Sequence, residues 1–231
     1  ALLGHASAGA GLSSLLAVAT QLAVAGVELA AHVVVSVTAL IMCITVHEFG
    51  HAWVADRMGD PLPRQQGRVT LNPLRHIDPL GTVIFPALMA LGAAIPLAWG
   101  KPVEWTGHPA YLTRRFSMRT IRFFVAVAGP AMNLLLALLI SVAYLVFGKL
   151  GMKDAMRMCA QLIAMKFGLM FFNLLPIPPL DGRVFLEYLP KSLAILRDTL
   201  TSYGSYIFLA LILLGSAGGV SPLGYIMTPF H

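Results

Sequence analysis

Long apolar stretches without a charged residue alternate with short basic segments along this chain. Residues 29–46, 123–147 and 203–230 contain no Asp, Glu, Lys or Arg. About 20 consecutive apolar residues form a helix long enough to cross the hydrocarbon core of a bilayer. The pattern therefore predicts an all-α polytopic membrane protein with about 4–6 transmembrane helices.

The apolar stretches and the breaks between them predict the order of the elements. A long helix over about residues 27–58 precedes a polar segment at 59–78, whose alternating GRVTLNP patch predicts a small β-strand or hairpin. The later elements are an apolar segment at 79–100, spans at about 121–148 and 154–175, a short helix near 184–189, and a last span at about 201–217.

The first 26 residues are small and apolar, and we treat them separately. They predict either an interfacial helix or an extra span, followed by a single intramembrane domain at 27–231. A cleaved signal peptide is disfavoured because no basic residue precedes the apolar part.

Composition supports the membrane prediction and argues against a nucleic-acid-binding protein and against a fold held by disulfide bonds. The chain is 58% hydrophobic and 11% charged, whereas soluble domains carry about 25% charged residues. The net charge of +6 comes from Lys and Arg in the linkers, and no basic helix is interleaved with aromatic residues, which excludes nucleic acid as a partner. The two cysteines, Cys43 and Cys159, lie far apart in apolar segments and predict no disulfide framework.

The sequence HEFGH at 47–51 ends the first apolar run and carries candidate chemistry. Positions i and i+4 share one face of an α-helix, so His47 and His51 can present two imidazoles to one ion. Glu48 lies about 100° around the helix, where it can reach a water molecule on that ion. This is the arrangement of zinc proteases, in which the glutamate acts as the general base. Ionisable groups at membrane depth are costly and mark functional sites.

A catalytic zinc ion needs a third protein ligand. The candidate is Asp181 in NLLPIPPLDG, which follows a predicted span. The prolines stop the helix there, and irregular backbone at membrane depth requires a covering of protein or a water-filled cavity. The sequence therefore predicts a hydrolytic site between the end of the first helix and Asp181.

HEFGH followed by NLLPIPPLDG some 130 residues later resembles the site-2 protease family of intramembrane zinc metalloproteases. Three shorter stretches resemble its short bacterial branch, which lacks a PDZ domain: LNPLRHIDPLGT at 71–82, GKPV at 100–103 and AGPAMN at 128–133. The resemblance covers about residues 27–188. The chain shows neither a PDZ insertion nor a C-terminal CBS domain, so regulation by such modules is absent or comes from a membrane partner.

The resemblance implies a site and an activity. One Zn²⁺ per chain would be held by His47, His51 and Asp181, with Glu48 as catalytic base and Asn173 lining the active site. The substrates would be transmembrane proteins in the lipid bilayer, cut in or near their membrane segments during regulated intramembrane proteolysis.

The metal site also constrains the topology. HEFGH and Asp181 reach the same depth only if the helices at 27–58 and 154–175 run parallel, with 121–148 antiparallel between them. Segment 79–100, broken by Pro86, Gly92 and Pro96, must then enter and leave on one side as a re-entrant segment. Nine Lys and Arg residues flank that segment, against three around the turn at 149–157. The positive-inside bias therefore predicts an active site nearer the cytoplasmic side, and the resemblance to the short bacterial branch implies a multi-pass protein of the bacterial cytoplasmic membrane.

Several residues have two interpretations each. Asn133 either binds the substrate backbone or cross-links helices, and Asn173 either serves the site or caps its helix. Val69 belongs to the predicted strand, whose edge would hold an extended substrate. His76 and Asp78 either support the site or fix their loop. Lys166 lies inside a span, so its amine must face a cavity or reach the interface.

Two other functions fit part of the pattern, namely a zinc-binding membrane transporter and a non-catalytic membrane scaffold. A transporter places His and Asp in its spans but gains nothing from a glutamate directly after the first histidine. A scaffold has no need for the complete set of His, Glu, His and Asp.

Overall fold

The computed structural model describes residues 2–90 and 99–218. Six α-helices lie in this part of the chain, with short 3₁₀ and π-helical segments between them. The α-helices are α1 (Leu2–Arg57), α2 (Leu62–Gln65), α3 (Phe85–Ala90), α4 (Met118–Lys149), α5 (Lys153–Asn173) and α6 (Ala194–Gly218). The helices predicted at 121–148 and 154–175 correspond to α4 and α5.

Three helices are long and apolar enough to cross a membrane: α1 from Leu16 to Arg57, α4 and α5. This number, for the described residues, is smaller than the predicted four to six. The last predicted span is helical as α6, but α6 begins with a turn that contains Arg197 and Asp198.

The predicted strand or hairpin after the first helix is wrong, because the described part of the chain contains no strand. The residues after Pro61 form α2, and Gly67 adopts φ +66°, a left-handed conformation that breaks an extended run. The Asn72 side chain then accepts a hydrogen bond from the Leu74 amide and starts a 3₁₀ turn. Local turn chemistry therefore outweighs a short alternating pattern.

Helix α4 packs between α1 and α5 and runs antiparallel to both. Towards α1, His51 contacts Val125 and His47 contacts Asn133, so the residue numbers rise in opposite directions. Towards α5, Asn133 contacts Lys166 and Gly148 faces Met156, again in opposite directions. Helices α1 and α5 are therefore parallel, as the metal site requires.

Residues 2–26 form the first part of α1, which is one continuous helix of 56 residues. The division of the chain at residue 26 stays a prediction, since the helix shows no break there. The side chains of residues 16–31 are exposed on this protein, as expected of apolar residues that face lipid.

The apolar segment after α2 returns to the place where it begins. The Trp99 amide donates to the Gly81 carbonyl at 3.0 Å, and the Thr82 hydroxyl donates to the Trp99 carbonyl at 2.8 Å. The breaks at Gly92 and Pro96 lie outside the described residues, and Pro86 lies in α3. The contact between residues 81 and 99 is the arrangement that a re-entrant segment requires.

Two buried side chains fix the loops at the end of α1. The Asp60 carboxylate accepts hydrogen bonds from the Leu62 amide, the Thr106 hydroxyl and the Gly107 amide at 2.8–3.0 Å. The His76 Nε2–H donates to the Thr70 carbonyl at 2.8 Å. These bonds hold the loops against the end of α1 that carries HEFGH.

Candidate metal centre

The last turns of α1 present His47 and His51 towards α4. The spacing of four residues stacks the side chains on one helix face, and their Nε2 atoms lie 3.1 Å apart. Both residues are buried, with exposed fractions of 7% and 8%. Two imidazole nitrogens therefore converge on one point.

Asp181 reaches the same point from the far end of the chain. It begins the 3₁₀ helix Asp181–Tyr188, directly after the proline-rich turn that follows α5. Its Oδ2 atom lies 3.1 Å from Nε2 of His47 and 3.3 Å from Nε2 of His51. The turn is tight, because a Cβ atom on Gly182 would lie 2.2 Å from the Leu174 carbonyl oxygen. The sequence prediction that these three residues meet agrees with this geometry.

These donor atoms fit a zinc ion. The Oδ2 atom of Asp181 is buried and has no hydrogen-bond donor among the described residues. Bonds of about 2.0–2.1 Å in a tetrahedron place neighbouring donor atoms about 3.3 Å apart, close to the three separations above. Two imidazole nitrogens and one carboxylate oxygen are also a donor set of catalytic zinc sites, which keep a fourth position open.

The protonation state of Asp181 suits a ligand. Burial by itself would raise the pKa of this carboxyl, but the neighbouring His51 and His47 hold the pKa well below its usual range. Asp181 is therefore a carboxylate at neutral pH, the form that pairs with both imidazoles.

The far nitrogens of the two histidines have partners on α4. The His51 Nδ1–H donates to the Val125 carbonyl at 2.6 Å, which leaves the lone pair of Nε2 free for a metal. The His47 Nδ1 lies 3.1 Å from the Asn133 amide nitrogen. Helix α4 therefore orients both imidazoles.

Glu48 lies beside the metal-binding atoms and is half-buried. Its Oε2 atom accepts a hydrogen bond from the Val103 amide at 3.0 Å and lies 3.9 Å from the Arg68 guanidinium. The segment at 100–103, the GKPV stretch, is thus fixed against the glutamate. These contacts hold one carboxylate oxygen and leave Oε1 as the atom that can act on a water molecule.

Arg68 is a component of the site that sequence reasoning missed. It is 3% exposed, and its guanidinium donates to the backbone carbonyls of Arg75 and Lys101. Burial lowers the pKa of this arginine. It joins the loop after α2 to the segment that contacts Glu48. The sequence gives no indication of this role, because an arginine that stayed on the surface would have the same neighbours along the chain.

A cavity of about 820 Å³ opens beside Glu48, His51 and Asp181. Pro102, Val103 and Trp105 line one side, and Pro178 and Pro179 line another. Arg122, Arg183 and Arg197 contribute positive charge to its wall. The cavity gives the candidate metal centre access from outside the helices.

The remaining predicted residues lie in less direct positions. Asn133 is fully buried between helices and does not line the cavity, so its position matches the cross-linking interpretation. The Asn173 amide donates to the Leu169 carbonyl of its own helix at 3.0 Å, as a helix-end residue does. Val69 lies in a bend away from the cavity lining. Site roles for these three stay predictions.

His76 and Asp78 match the loop interpretation. The bond from His76 to Thr70 is described above, and the Asp78 carboxylate accepts from the amides of Leu80 and Gly81 at 2.8–3.0 Å. Asp78 thereby starts the π-helical segment Pro79–Ile84.

Gly129 on α4 makes room for the two imidazoles, and this leads to a prediction. A Cβ atom at this position would lie 2.3 Å from Nε2 of His51 and 2.7 Å from Cε1 of His47. We expect Gly129→Ala to displace both rings and to weaken zinc binding about 10- to 100-fold, the range seen when ligand orientation is lost. Zinc affinity measured by competition with a chelating dye checks this expectation.

Gly148→Ala is the matched control for this substitution. It lies on the same helix, and its Cβ atom would meet only the Met156 side chain at an ordinary 3.4 Å. Equal zinc affinity in the two variants would contradict the placement of the metal beside Gly129.

Comparison with known proteins agrees with this geometry. The model of peptidase family M50 matches residues 35–165. The chain is 33% identical over 204 residues to the "Putative zinc metalloprotease YwhC" of Bacillus subtilis, which covers 84% of each chain. No solved structure matches the chain significantly.

Two further similarities are to other bacterial proteins. The "Putative zinc metalloprotease Rip2" of Mycobacterium tuberculosis is 34% identical over 189 residues, covering 80% of this chain and 67% of that protein. The "Regulator of sigma-E protease RseP" of Escherichia coli is 32% identical over 105 residues, covering 44% of this chain and 23% of that protein.

Proposed function

The chain belongs to peptidase family M50, and from this premise we propose that it is an intramembrane zinc endopeptidase that cuts membrane proteins in or near their transmembrane segments. One observation carries the proposal. His47, His51, Asp181 and Glu48 converge beside one cavity, at the end of a helix that is long and apolar enough to cross a membrane.

The metal ligands come from two parts of the chain. His47 and His51 would hold the zinc ion from α1, and Asp181 would hold it from the turn after α5. When bound, the ion polarises the scissile carbonyl and lowers the pKa of a water molecule towards about 7. The three protein ligands leave one position open for that water.

Glu48 supplies the proton transfer. Its Oε1 atom would take a proton from the attacking water and pass it to the nitrogen of the leaving amine, so that the carboxylate is restored at the end. The Val103 amide holds the other oxygen, Oε2, at 3.0 Å, and Arg68 fixes the neighbouring segment. The glutamate therefore needs little reorganisation before it reacts.

The surroundings of the site suit a membrane-embedded substrate. Transmembrane helices satisfy their own backbone hydrogen bonds, so a substrate must unwind locally before its carbonyl can reach the metal. The cavity beside Glu48 offers space for an unwound segment and lies at the loop-bearing end of α1. The arginines of its wall favour an active site near the cytoplasmic face of a bacterial membrane.

Removal and return of the metal test the proposal. We expect the purified protein, in liposomes with a panel of single-span proteins tagged at both ends, to release shorter tagged fragments. Cleavage should stop after treatment with a zinc chelator and return with about one zinc per chain, because Zn²⁺ activates the water. Fragment sizes by mass spectrometry and zinc content by plasma emission measure both quantities. Unchanged cleavage by the zinc-depleted protein would refute the proposal.

A further inference from the structure

Lys166 is a buried amine that none of the steps above uses. It lies in α5, inside a candidate span, and is 1% exposed. A lysine that does not reach water is costly at such a position, and it occurs where it has a specific partner. Its Nζ atom lies 3.3 Å from Oδ1 of the Asn133 side chain, and the Cys43 thiol is a second polar neighbour.

Asn133 connects this lysine to a metal ligand. The amide of Asn133 is fully buried, with one end towards Lys166 and the other 3.1 Å from Nδ1 of His47. The structure places Nδ2 towards His47 and Oδ1 towards Lys166. A half-turn of the amide exchanges the two ends and leaves the heavy atoms nearly in place. A single amide therefore joins α5 to the imidazole of α1.

Hydrogen-bond chemistry restricts what the two neighbours can be at the same time. An imidazole that binds a metal through Nε2 carries its hydrogen on Nδ1, so His47 requires the amide oxygen as acceptor. The NH₂ end of Asn133 then faces Lys166. An ammonium group has three donors and no acceptor, and it cannot receive this bond. A neutral amine has a lone pair and can.

We propose that Lys166 is a positioning residue that works as a neutral amine: it accepts a hydrogen bond from Asn133 and so keeps the Asn133 carbonyl on His47 Nδ1–H. In this arrangement the lone pair of His47 Nε2 points to the zinc ion. The inference rests on the proposed zinc site and adds a lysine on a third helix to the groups that support it.

Three substitutions at position 166 distinguish this role from that of a charged strut, meaning a protonated lysine that supports the helix packing as a cation. Lys166→Arg keeps the positive charge but offers only donors to Asn133. We expect it to weaken zinc affinity about 10- to 100-fold, the range for lost outer partners of a ligand. Lys166→Gln keeps an acceptor oxygen, and its zinc affinity should stay within about threefold of that of the wild type. Lys166→Met offers neither a donor nor an acceptor to Asn133, and its zinc affinity should lie between those of the other two variants.

Competition with a chelating dye on the full-length protein in detergent measures these affinities. A charged strut predicts the reverse order, with Lys166→Arg close to wild type and Lys166→Gln impaired, and that order would overturn the inference. Equal affinities in all variants would overturn it as well. The affinities do not depend on any substrate, so a protein that shows the expected order but cuts nothing would contradict the proposed function and leave this inference standing.

A second substitution distinguishes chemistry from loss of packing in Lys166→Arg. Asn133→Asp replaces the amide by a carboxylate, which accepts hydrogen bonds from both neighbours. We expect the double variant Asn133→Asp/Lys166→Arg to bind zinc within about tenfold of the wild type. If the arginine only disturbs the packing of α5, the added aspartate will not restore zinc affinity, and that result would contradict the inference. Cys43→Ala, which removes the other polar neighbour of Lys166, should leave zinc affinity unchanged.

Discussion

Replacing Glu48 with glutamine should stop peptide-bond cleavage and leave the zinc ion in place. The glutamine has the same shape and retains a carbonyl oxygen for the Val103 amide, which now lies 3.0 Å from Oε2. It cannot take a proton from water, and general bases contribute about 10²- to 10⁴-fold to enzymatic rates. We expect a loss of that size in the cleavage rate, with zinc content unchanged at one ion per chain.

Parallel assays of fragment release and zinc content on the same preparation measure this result. Glu104→Gln is the matched control, because Glu104 is bonded to the exposed Gln66 side chain and does not line the cavity. Wild-type cleavage by Glu48→Gln would remove the general base from the mechanism. Zinc content without cleavage in the wild type itself would favour the transporter or scaffold interpretation.

Replacing Asp181 with alanine should release the metal. Its Oδ2 atom is the only oxygen of the described three-residue cluster, and the two imidazoles alone leave the ion with one ligand too few for a catalytic zinc site. Loss of an outer partner of a ligand costs about 10- to 100-fold in metal affinity, so loss of a ligand itself should cost more. We expect zinc affinity to fall by more than about 100-fold and cleavage to disappear with it.

Asp154→Ala is a suitable control for this variant, since the Asp154 side chain is 93% exposed and, among the described residues, pairs only with Arg157 on the same helix. Calorimetric titration with Zn²⁺ after chelation measures both proteins. Wild-type affinity in Asp181→Ala would mean that another group completes the site, and the turn after α5 would then lose its assigned role.

The predictable part of the site is the part that local geometry determines. His47, Glu48 and His51 lie on one helix, so their relative positions follow from the pitch of an α-helix. Asp181 could be added because it follows a predicted span at a proline-rich break, and the parallel course of α1 and α5 agrees with that choice. The bounds of α4 and α5 followed from apolar length for the same local reason, whereas α1 begins at Leu2 and not near residue 27.

The missed parts depend on contacts between distant segments. Arg68 is buried because the backbone carbonyls of Arg75 and Lys101 surround it, and no property of GRVT indicates those neighbours. Asn133 and Lys166 were recognised as unusual, but their link to His47 requires the packing of three helices. The strand prediction failed because Gly67 and Asn72 favour turns, and these residues outweigh a short alternation.

The separation of the ligands along the chain has a consequence for how the protein is made. His51 and Asp181 lie 130 residues apart, with α4 and α5 folded between them. The centre therefore does not exist while the ribosome is still producing the first two long helices. While the chain is being synthesised, HEFGH enters the membrane without its third ligand. The site is complete only after the segment that follows α5 has been synthesised and has packed against α1. Biosynthesis itself thus delays the protease until most of its own chain is folded.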